Sequence, residues 1–367
     1  MSTLVTCGGS AVDSLDNGLS PDAEASKSTP KVSLDYGDFT LAALTSSQTR
    51  DYLDILRLET PVKPDLQCLD ALIASHLERI PFQGIDTFTG NSESLEARVV
   101  FSKVVKERRG GNCFELNSLF ANLLLALGYK VRVRCARIRW AVPEDVPLKP
   151  VDHMVLCVSV CDNDLSDQER HFLVDVGFGG PCPRRALPLQ GDVAPYRLRV
   201  LESDWAKSIE VAILIQDENG QRSRWLPLYQ VFAYAHEWPD FMDKSWYFAT
   251  HPCIAFREVL AVSRYEGDCW LTLRNCYFTR RRCTSSGIGE LVERRTIVSM
   301  RDLRSLLQDE FQLKLKPEVD VKVLCPHHPD PPDPDHHVSE LFAAVEIMNV
   351  GFSGYRVRPL SDKDLSP

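Results

Sequence analysis

The sequence lacks the features that mark several large protein classes. No two of its twelve cysteines have the Cys-x-x-Cys spacing of a zinc framework. No apolar run reaches the roughly 18–20 residues that a membrane-spanning helix needs, and the first residues have neither the basic start nor the apolar run of a secretory signal. We therefore expect a cytoplasmic protein with reduced thiols, without a structural metal and without a membrane partner.

An excess of positive charge is also missing, because the net charge is −9 at pH 7. Nucleic acids and anionic membranes attract basic surfaces, so neither is an expected partner. The 367 residues are 44% hydrophobic and 25% charged, which is typical of a globular protein with a sizeable core. This length allows two or three packed domains.

The first third of the chain contains an unstructured pattern followed by helical ones. Residues 1 to about 45 are rich in Ser, Asp, Ala and Gly and poor in aromatics, which is typical of a flexible arm. Helical spacing of apolar residues follows from Gln48 to about Arg79, with two prolines as interruptions. A further amphipathic helix is predicted between an N-cap at Asn112 and a stop at Gly128.

After Gly128 the hydrophobic period changes to that of strands. Strands are predicted over 131–135, 153–160, 171–178, 211–215, 259–262, 269–273 and 290–299. The polar segment between the second and third of these predicts a hairpin loop, and 302–311 predicts a helix. Because helices precede strands and a mixed segment comes last, the order indicates an α+β fold and not an alternating α/β fold.

Cys113 differs from the other cysteines in its setting. It follows two glycines and lies at the predicted start of a helix, where backbone N–H groups and the helix dipole stabilise an anion such as a thiolate. The glycines permit a tight turn and leave space beside the sulfur. The local context leaves two interpretations open, a nucleophile or a buried cysteine after an ordinary Gly-Gly turn.

Asp175 lies in an otherwise apolar strand, where a carboxylate is costly unless it is paired. An edge position facing water, or a structural pair with an arginine, would also explain it. His153 opens the preceding strand, and a lone strand histidine is more often structural than catalytic. If Val155 lies opposite Asp175 in a hairpin, His153 and Asp175 share a face, whereas a slip of one residue would separate them. With Cys113 they would form a nucleophile, a base and an orienting carboxylate.

Around these residues the sequence resembles the arylamine N-acetyltransferases. The hallmark run Arg-Gly-Gly-x-Cys-x-Glu-x-Asn of that family matches Arg109–Asn117. Its His-x-Val-Leu and Val-Asp-Val-Gly-Phe-Gly segments match His153–Leu156 and Val174–Gly179. Three shorter blocks match, in the family's order, at Ile80–Phe82, Tyr247–Phe256 and Phe278–Arg282. The resemblance extends from about residue 48 to 315.

The resemblance implies a helical domain, a β-barrel domain and an α/β lid around a cysteine-protease-like Cys-His-Asp core. The expected ranges are a flexible arm at 1–46, a helical domain with the nucleophile at 47–129, a barrel with His153 and Asp175 at 130–245, and a lid with a C-terminal extension at 246–367.

The resemblance also implies an N-acyltransferase that carries an acetyl or other short acyl group on Cys113 as a thioester. Acyl-CoA, in the first place acetyl-CoA, would be the co-substrate, and small arylamines or arylhydrazines would be the acceptors. No permanently bound cofactor is expected. Acetyl-, propionyl- and malonyl-CoA all remain open as donors.

Further site residues follow from the same resemblance. Phe82 and Phe178 would form an apolar wall for the amine, although plain core packing explains both equally well. Arg109 and Glu115 are expected to pair near the site.

Three glycines are candidates for the donor site. Gly177, Gly179 and Gly180 would let CoA approach the backbone, although a tight turn at a strand end explains them equally well.

The chain departs from the simplest family members in its N-terminal arm, a polar insertion after His153 and an extension beyond about residue 316, which resemble those of eukaryotic, fungal-like members. Within the extension, 325–337 holds four histidines and several aspartates. This composition favours a proline-stiffened solvent loop over a metal site.

Two other functions stay open: a transglutaminase-like or papain-like hydrolase, and an inactive binding protein that keeps the fold.

Overall fold

The structure is a computed structural model. It describes residues 41–59, 64–91, 94–140, 150–161, 169–189, 192–202, 207–216, 223–234, 236–252, 254–285 and 287–316, and the backbone of Arg356–Pro359. All of these lie in one compact unit, Gly37–Pro367. Most of the predicted N-terminal arm and the whole histidine-rich tract at 325–337 fall outside the described residues.

The first part of the described chain is helical, as predicted. The helices are α1 Ser46–Leu56, α2 Leu66–Arg79, α3 Ile85–Phe88, α4 Ala97–Phe101, a π-helical turn Ser102–Lys106, α5 Cys113–Ala126, α6 Met242–Thr250 and α7 Met300–Asp309. Side-chain caps set two of the starts, since Thr45 accepts from the Gln48 N–H and Asp65 accepts from the Cys68 N–H. No helix among these described residues is both long and apolar enough to cross a membrane.

Helix α5 is the central helix of the fold. Every residue from Cys113 to Leu124 is buried, so the helix is enclosed on all sides and not amphipathic as the sequence pattern suggested. Its buried polar residues therefore need internal partners. Those partners define the site described below.

The strands form one sheet. They are β1 Phe82–Gln83, β2 Lys130–Ile138, β3 His153–Cys161, β4 Glu169–Val174, β5 Leu187–Pro188, β6 Tyr196–Glu202, β7 Lys207–Gln216, β8 Ser223–Phe232, β9 Ala261–Glu266, β10 Cys269–Arg274, β11 Tyr277–Thr284, β12 Gly287–Thr296 and β13 Arg356–Pro359. The order is β1-β9-β10-β11-β12-β7-β8-β2-β3-β4-β5, and β6 pairs with β7 and β13. The predicted α+β mixture of helices and sheet is confirmed.

The predicted β-barrel does not close among the described strands. The sheet is open from β1 to β5, and it joins the strands expected in the barrel to those expected in the lid through the parallel pair Ile288–Ile215. Gly287 permits this junction, because a Cβ there would lie 1.9 Å from the Leu214 carbonyl oxygen. The edge strand β5 has two residues and ends in Pro188, which has no N–H to extend a ladder.

The register of β3 against β4 is the one that the sequence analysis required. Leu156 pairs with Val174, and one further step places Val155 opposite Asp175. Strand β4 ends at Val174 and not at Phe178 as predicted, because the Asp175 side chain accepts the Gly177 N–H at 2.9 Å and turns the chain. Most of the predicted hairpin loop, 162–168, lies outside the described residues.

A buried histidine joins the helices to one another. His76 on α2 has no exposed surface, its Nδ1 lies 2.8 Å from the Tyr52 hydroxyl of α1, and its ring packs edge-to-face against Phe120 of α5 at 5.3 Å. Burial lowers the pKa of His76 from 6.5 to about 3. The folded protein therefore holds this imidazole neutral over a pH range in which the unfolded chain protonates it.

We expect His76 to make folding sensitive to acid. Because its folded pKa is lowered, its contribution is fully present above about pH 6.5 and is lost as the pH falls toward 3, by on the order of 1 kcal/mol per pH unit. Urea unfolding at pH 7 and pH 5 measures the loss. A His76→Phe variant should lose about 2 kcal/mol less between these pH values, and an equal loss in both proteins would contradict the assignment.

Candidate active site

His153 and Asp175 meet in the core. The His153 Nε2 lies 2.7 Å from Asp175 Oδ2, and the two residues are 1% and 2% exposed. Asp175 Oδ1 accepts from the Asn117 side-chain amide and from the Gly177 N–H, each at 2.9 Å. These three donors compensate the burial of the carboxylate. Asp175 is therefore neither a water-facing edge residue nor the partner of an arginine.

Asn117 was given no role in the sequence analysis, yet it connects the central helix to both strands. Besides Asp175, its Nδ2 donates to the Met154 carbonyl at 2.7 Å, and its Oδ1 accepts the Val176 N–H at 3.0 Å. It lies four residues after Cys113, on the same face of α5. A fully buried amide in an apolar helix, one turn after a candidate nucleophile, is the signal that could have identified it.

Cys113 is the first residue of α5, as its N-cap predicted. The Asn112 Oδ1 accepts the N–H groups of Phe114 and Glu115, and Glu115 returns the bond by accepting the Asn112 N–H at 2.8 Å. The preceding turn needs Gly110, whose φ is +61° and whose Cβ would lie 2.4 Å from the Pro81 carbonyl oxygen. The helix start that carries the sulfur is thus held at fixed geometry.

The surroundings of the Cys113 thiol favour its protonated form. Burial raises its pKa well above the usual value, and the carboxylates of Asp152 and Asp175 raise it further. The N–H groups of Phe114 and Met154 act in the opposite direction without reversing the shift. The thiol contacts the Asp152 carbonyl oxygen at 3.8 Å. Desolvation thus outweighs the helix dipole, and a thiolate needs a base to take its proton.

Known proteins are similar to this chain in sequence and in fold. A family model described as N-acetyltransferase matches residues 65–320. The arylamine N-acetyltransferase of Mycolicibacterium smegmatis is 34% identical over 230 residues, which are 61% of this chain and 78% of the relative. The chain belongs to the arylamine N-acetyltransferase family.

Further relatives agree with this membership. The arylamine N-acetyltransferase / N-hydroxyarylamine O-acetyltransferase of Salmonella typhimurium is 29% identical over 257 residues, 68% of this chain and 83% of the relative. The solved structure of Mycobacterium marinum arylamine N-acetyltransferase in complex with CoA superposes with a TM-score of 0.62 at 28% identity, covering 72% of this chain and 92% of that one. The protein is therefore a transferase, which argues against the hydrolase and the inactive binding protein.

The two predicted wall residues pack against different partners. The Phe178 ring is 5.7 Å from the His153 ring, and both contact Tyr229 at 5.1 and 5.2 Å. Phe82 packs against Phe256 at 5.6 Å. Both phenylalanines are buried in the main core cluster, so their contact with an amine stays a prediction.

Close packing explains why each of the three predicted CoA-binding positions is a glycine. A Cβ on Gly177 would lie 2.9 Å from the Cys113 Cα, one on Gly179 would lie 2.6 Å from the Phe82 ring, and one on Gly180 would lie 2.5 Å from the Phe178 ring. The approach at Gly177 brings the turn after Asp175 against Cys113. A role in CoA binding stays a prediction.

Arg109 and Glu115 belong to one buried ion-pair network, in which Asp86 and Lys103 connect them; a direct pair between them stays a prediction. The Lys103 Nζ lies 2.7 Å from both Glu115 Oε1 and Asp86 Oδ2, and Arg109 contacts Asp86 Oδ1 at 2.8 Å. Burial alone would raise the pKa of Asp86, but Lys103 and Arg109 hold it below its usual value. Lys103 interrupts the apolar run Val99–Val105, which is the signal that could have identified it.

Proposed function

We propose that the enzyme moves an acetyl or other short acyl group from acyl-CoA to an arylamine or arylhydrazine through a thioester on Cys113. The observation that carries the proposal is the 2.7 Å pair of His153 and Asp175, which Asn117 ties to the helix that begins at Cys113. Family membership and the CoA complex of the Mycobacterium marinum relative support the donor class.

The His153–Asp175 contact supports one placement of the proton on the imidazole. In the proposed mechanism Asp175 is a carboxylate that accepts from two N–H groups at Oδ1, so its Oδ2 can only accept from Nε2–H. The lone pair of His153 is then on Nδ1. This nitrogen is the base that a buried, protonated thiol requires.

The reaction follows in two half-reactions. In the first, His153 takes the Cys113 proton while the sulfur attacks the acyl carbonyl. The bond to the CoA sulfur then breaks, and CoA leaves with the proton from the imidazolium. In the second, the amine attacks the thioester carbonyl and gives a proton to His153. The carbon–sulfur bond breaks, the amide leaves, and Cys113 regains its proton.

Intact-mass measurement after incubation with acetyl-CoA tests the covalent step. The wild-type protein should gain the mass of one acetyl group, and Cys113→Ala should gain none. Cys182→Ser is the matched control, because Cys182 is also buried and its sulfur contacts the Asp175 carbonyl oxygen at 2.9 Å. An unmodified wild type, or equal modification of Cys113→Ala, would refute the thioester.

The proposed cycle requires Cys113 to stay a free thiol. The cysteines of the described residues are all free. We therefore place the reaction in the cytoplasm, where thiols are kept reduced.

A further inference from the structure

An open pocket of about 670 Å³ is lined by residues outside those assigned so far. This volume is in the range of small-molecule sites. Its lining includes Val151, Tyr234, His236, Asp240, Trp246 and Tyr247. One wall is thus the segment before β3, and the other is the segment from the end of β8 through α6.

Both walls lead to the start of α5. Val151 lines the pocket, and the next residue, Asp152, contacts the Cys113 sulfur through its carbonyl oxygen at 3.8 Å. On the other wall, α6 packs Phe248 against the Phe114 ring at 5.9 Å. Each wall of the pocket is therefore connected to the start of α5 through a residue adjacent to its lining, Asp152 on one wall and Phe248 on the other.

The pocket concentrates exposed aromatic surface. Among the described residues, the large hydrophobic side chains that are exposed include two aromatic ones, Trp246 at 67% and Tyr234 at 60%. Both of them line this pocket. Large aromatic side chains left in water beside a cavity mark a binding site for a flat apolar group, because ring stacking recovers the exposed area.

The charge around the pocket favours an amine over a phosphate. Among the described residues, Asp240 and Asp243 line it together with one lysine, Lys244, whose Nζ is already 3.3 Å from Asp243 Oδ1. His236 adds no positive charge near pH 7, because burial lowers its pKa. The balance of one negative charge repels a phosphate-bearing ligand and suits a neutral or cationic aromatic amine.

We propose that this pocket is an outer acceptor subsite, which holds the distal ring of an extended aromatic amine between Tyr234 and Trp246 while the amino end reaches Cys113. The inference rests on the proposed function, because it assumes that an acceptor approaches an acylated Cys113. Single-ring amines react without occupying the subsite, so it sets the preference for acceptors of two or more rings.

The test compares a two-ring amine, 4-aminobiphenyl, with the single-ring amine aniline. In Trp246→Ala and Tyr234→Ala, the KM for 4-aminobiphenyl should rise about threefold to tenfold, as expected for a lost ring contact. The KM for aniline and the rate of Cys113 acetylation by acetyl-CoA should not change. An unchanged KM for 4-aminobiphenyl overturns the proposal. A raised KM for acetyl-CoA overturns it as well, because the pocket would then serve the donor.

A binding measurement separates this proposal from the catalytic one. In Cys113→Ala, titration with 4-aminobiphenyl should quench part of the tryptophan fluorescence. That part of the quenching should be absent in the Cys113→Ala/Trp246→Phe double variant. Quenching supports the subsite even if wild-type Cys113 is never acetylated, which would refute only the thioester. Equal quenching in both proteins overturns the subsite even if the thioester forms.

Discussion

Replacing Asp175 with asparagine is expected to lower kcat by about three to four orders of magnitude while the protein still folds. The carboxyl group accepts from the Asn117 amide and the Gly177 N–H, and in the proposed mechanism it also accepts from His153 Nε2, 2.7 Å away. An asparagine must turn its NH₂ group toward one of these donors. If the NH₂ group faces His153, Nε2 must accept its hydrogen bond, so the imidazole carries its proton on Nδ1. Nδ1 then cannot accept the proton of the Cys113 thiol.

The effect is expected to be large because, in the proposed mechanism, Cys113 depends on a base. Burial raises the pKa of the thiol, and Asp152 and Asp175 raise it further. Little thiolate forms at neutral pH unless His153 takes the proton. An imidazole in the wrong tautomer therefore blocks acylation and not only the later attack by the amine.

Two measurements check this prediction. Steady-state acetyl transfer should show the loss in kcat, and the time course of Cys113 acetylation by intact mass should show that the first half-reaction is slowed. Asp268→Asn is the control, because this carboxylate side chain is 62% exposed, lies outside both proposed sites, and should leave acetylation of Cys113 unchanged. A folded Asp175→Asn protein with kcat within tenfold of wild type would contradict the orienting role.

The predictable parts of the site are those set by local signals. The Asn112 cap and the helical spacing after it predict where α5 begins, and the structure confirms the start at Cys113. Side chains alternate between the two faces of the sheet along β3 and β4. His153 and Asp175 can therefore lie only on the same face or on opposite faces. The register with Leu156 opposite Val174 gives the one that joins them.

The parts that the sequence did not predict depend on contacts between distant segments. Strand β11 contains three consecutive arginines, Arg280–Arg282, which hide its period. In the fold, Arg280 contacts Glu293 of β12 at 3.3 Å and Glu310 after α7 at 2.7 Å. The open sheet depends in the same way on one junction at Gly287. Neither partner can be recognised before the chain is folded.

Lys103→Met is expected to cost about 3–5 kcal/mol in the free energy of unfolding. The lysine is 2% exposed, and its Nζ lies 2.7 Å from carboxylate oxygens of both Asp86 and Glu115. Methionine fills similar space without the charge, so two buried carboxylates would lose a shared cation. Glu115 is the more affected, because burial already raises its pKa even with Lys103 in place.

Lys106→Met provides the matched control on the same π-helical turn. Lys106 also contacts a carboxylate, Asp51 at 2.6 Å, but its side chain is 54% exposed. Water screens such a pair, so its loss should cost about 0–1 kcal/mol. Urea unfolding of both variants measures the difference. Adding Glu115→Gln to Lys103→Met should recover part of the stability by removing one uncompensated charge. Equal costs for the two lysines would show that the buried network does not hold the helix start at Cys113.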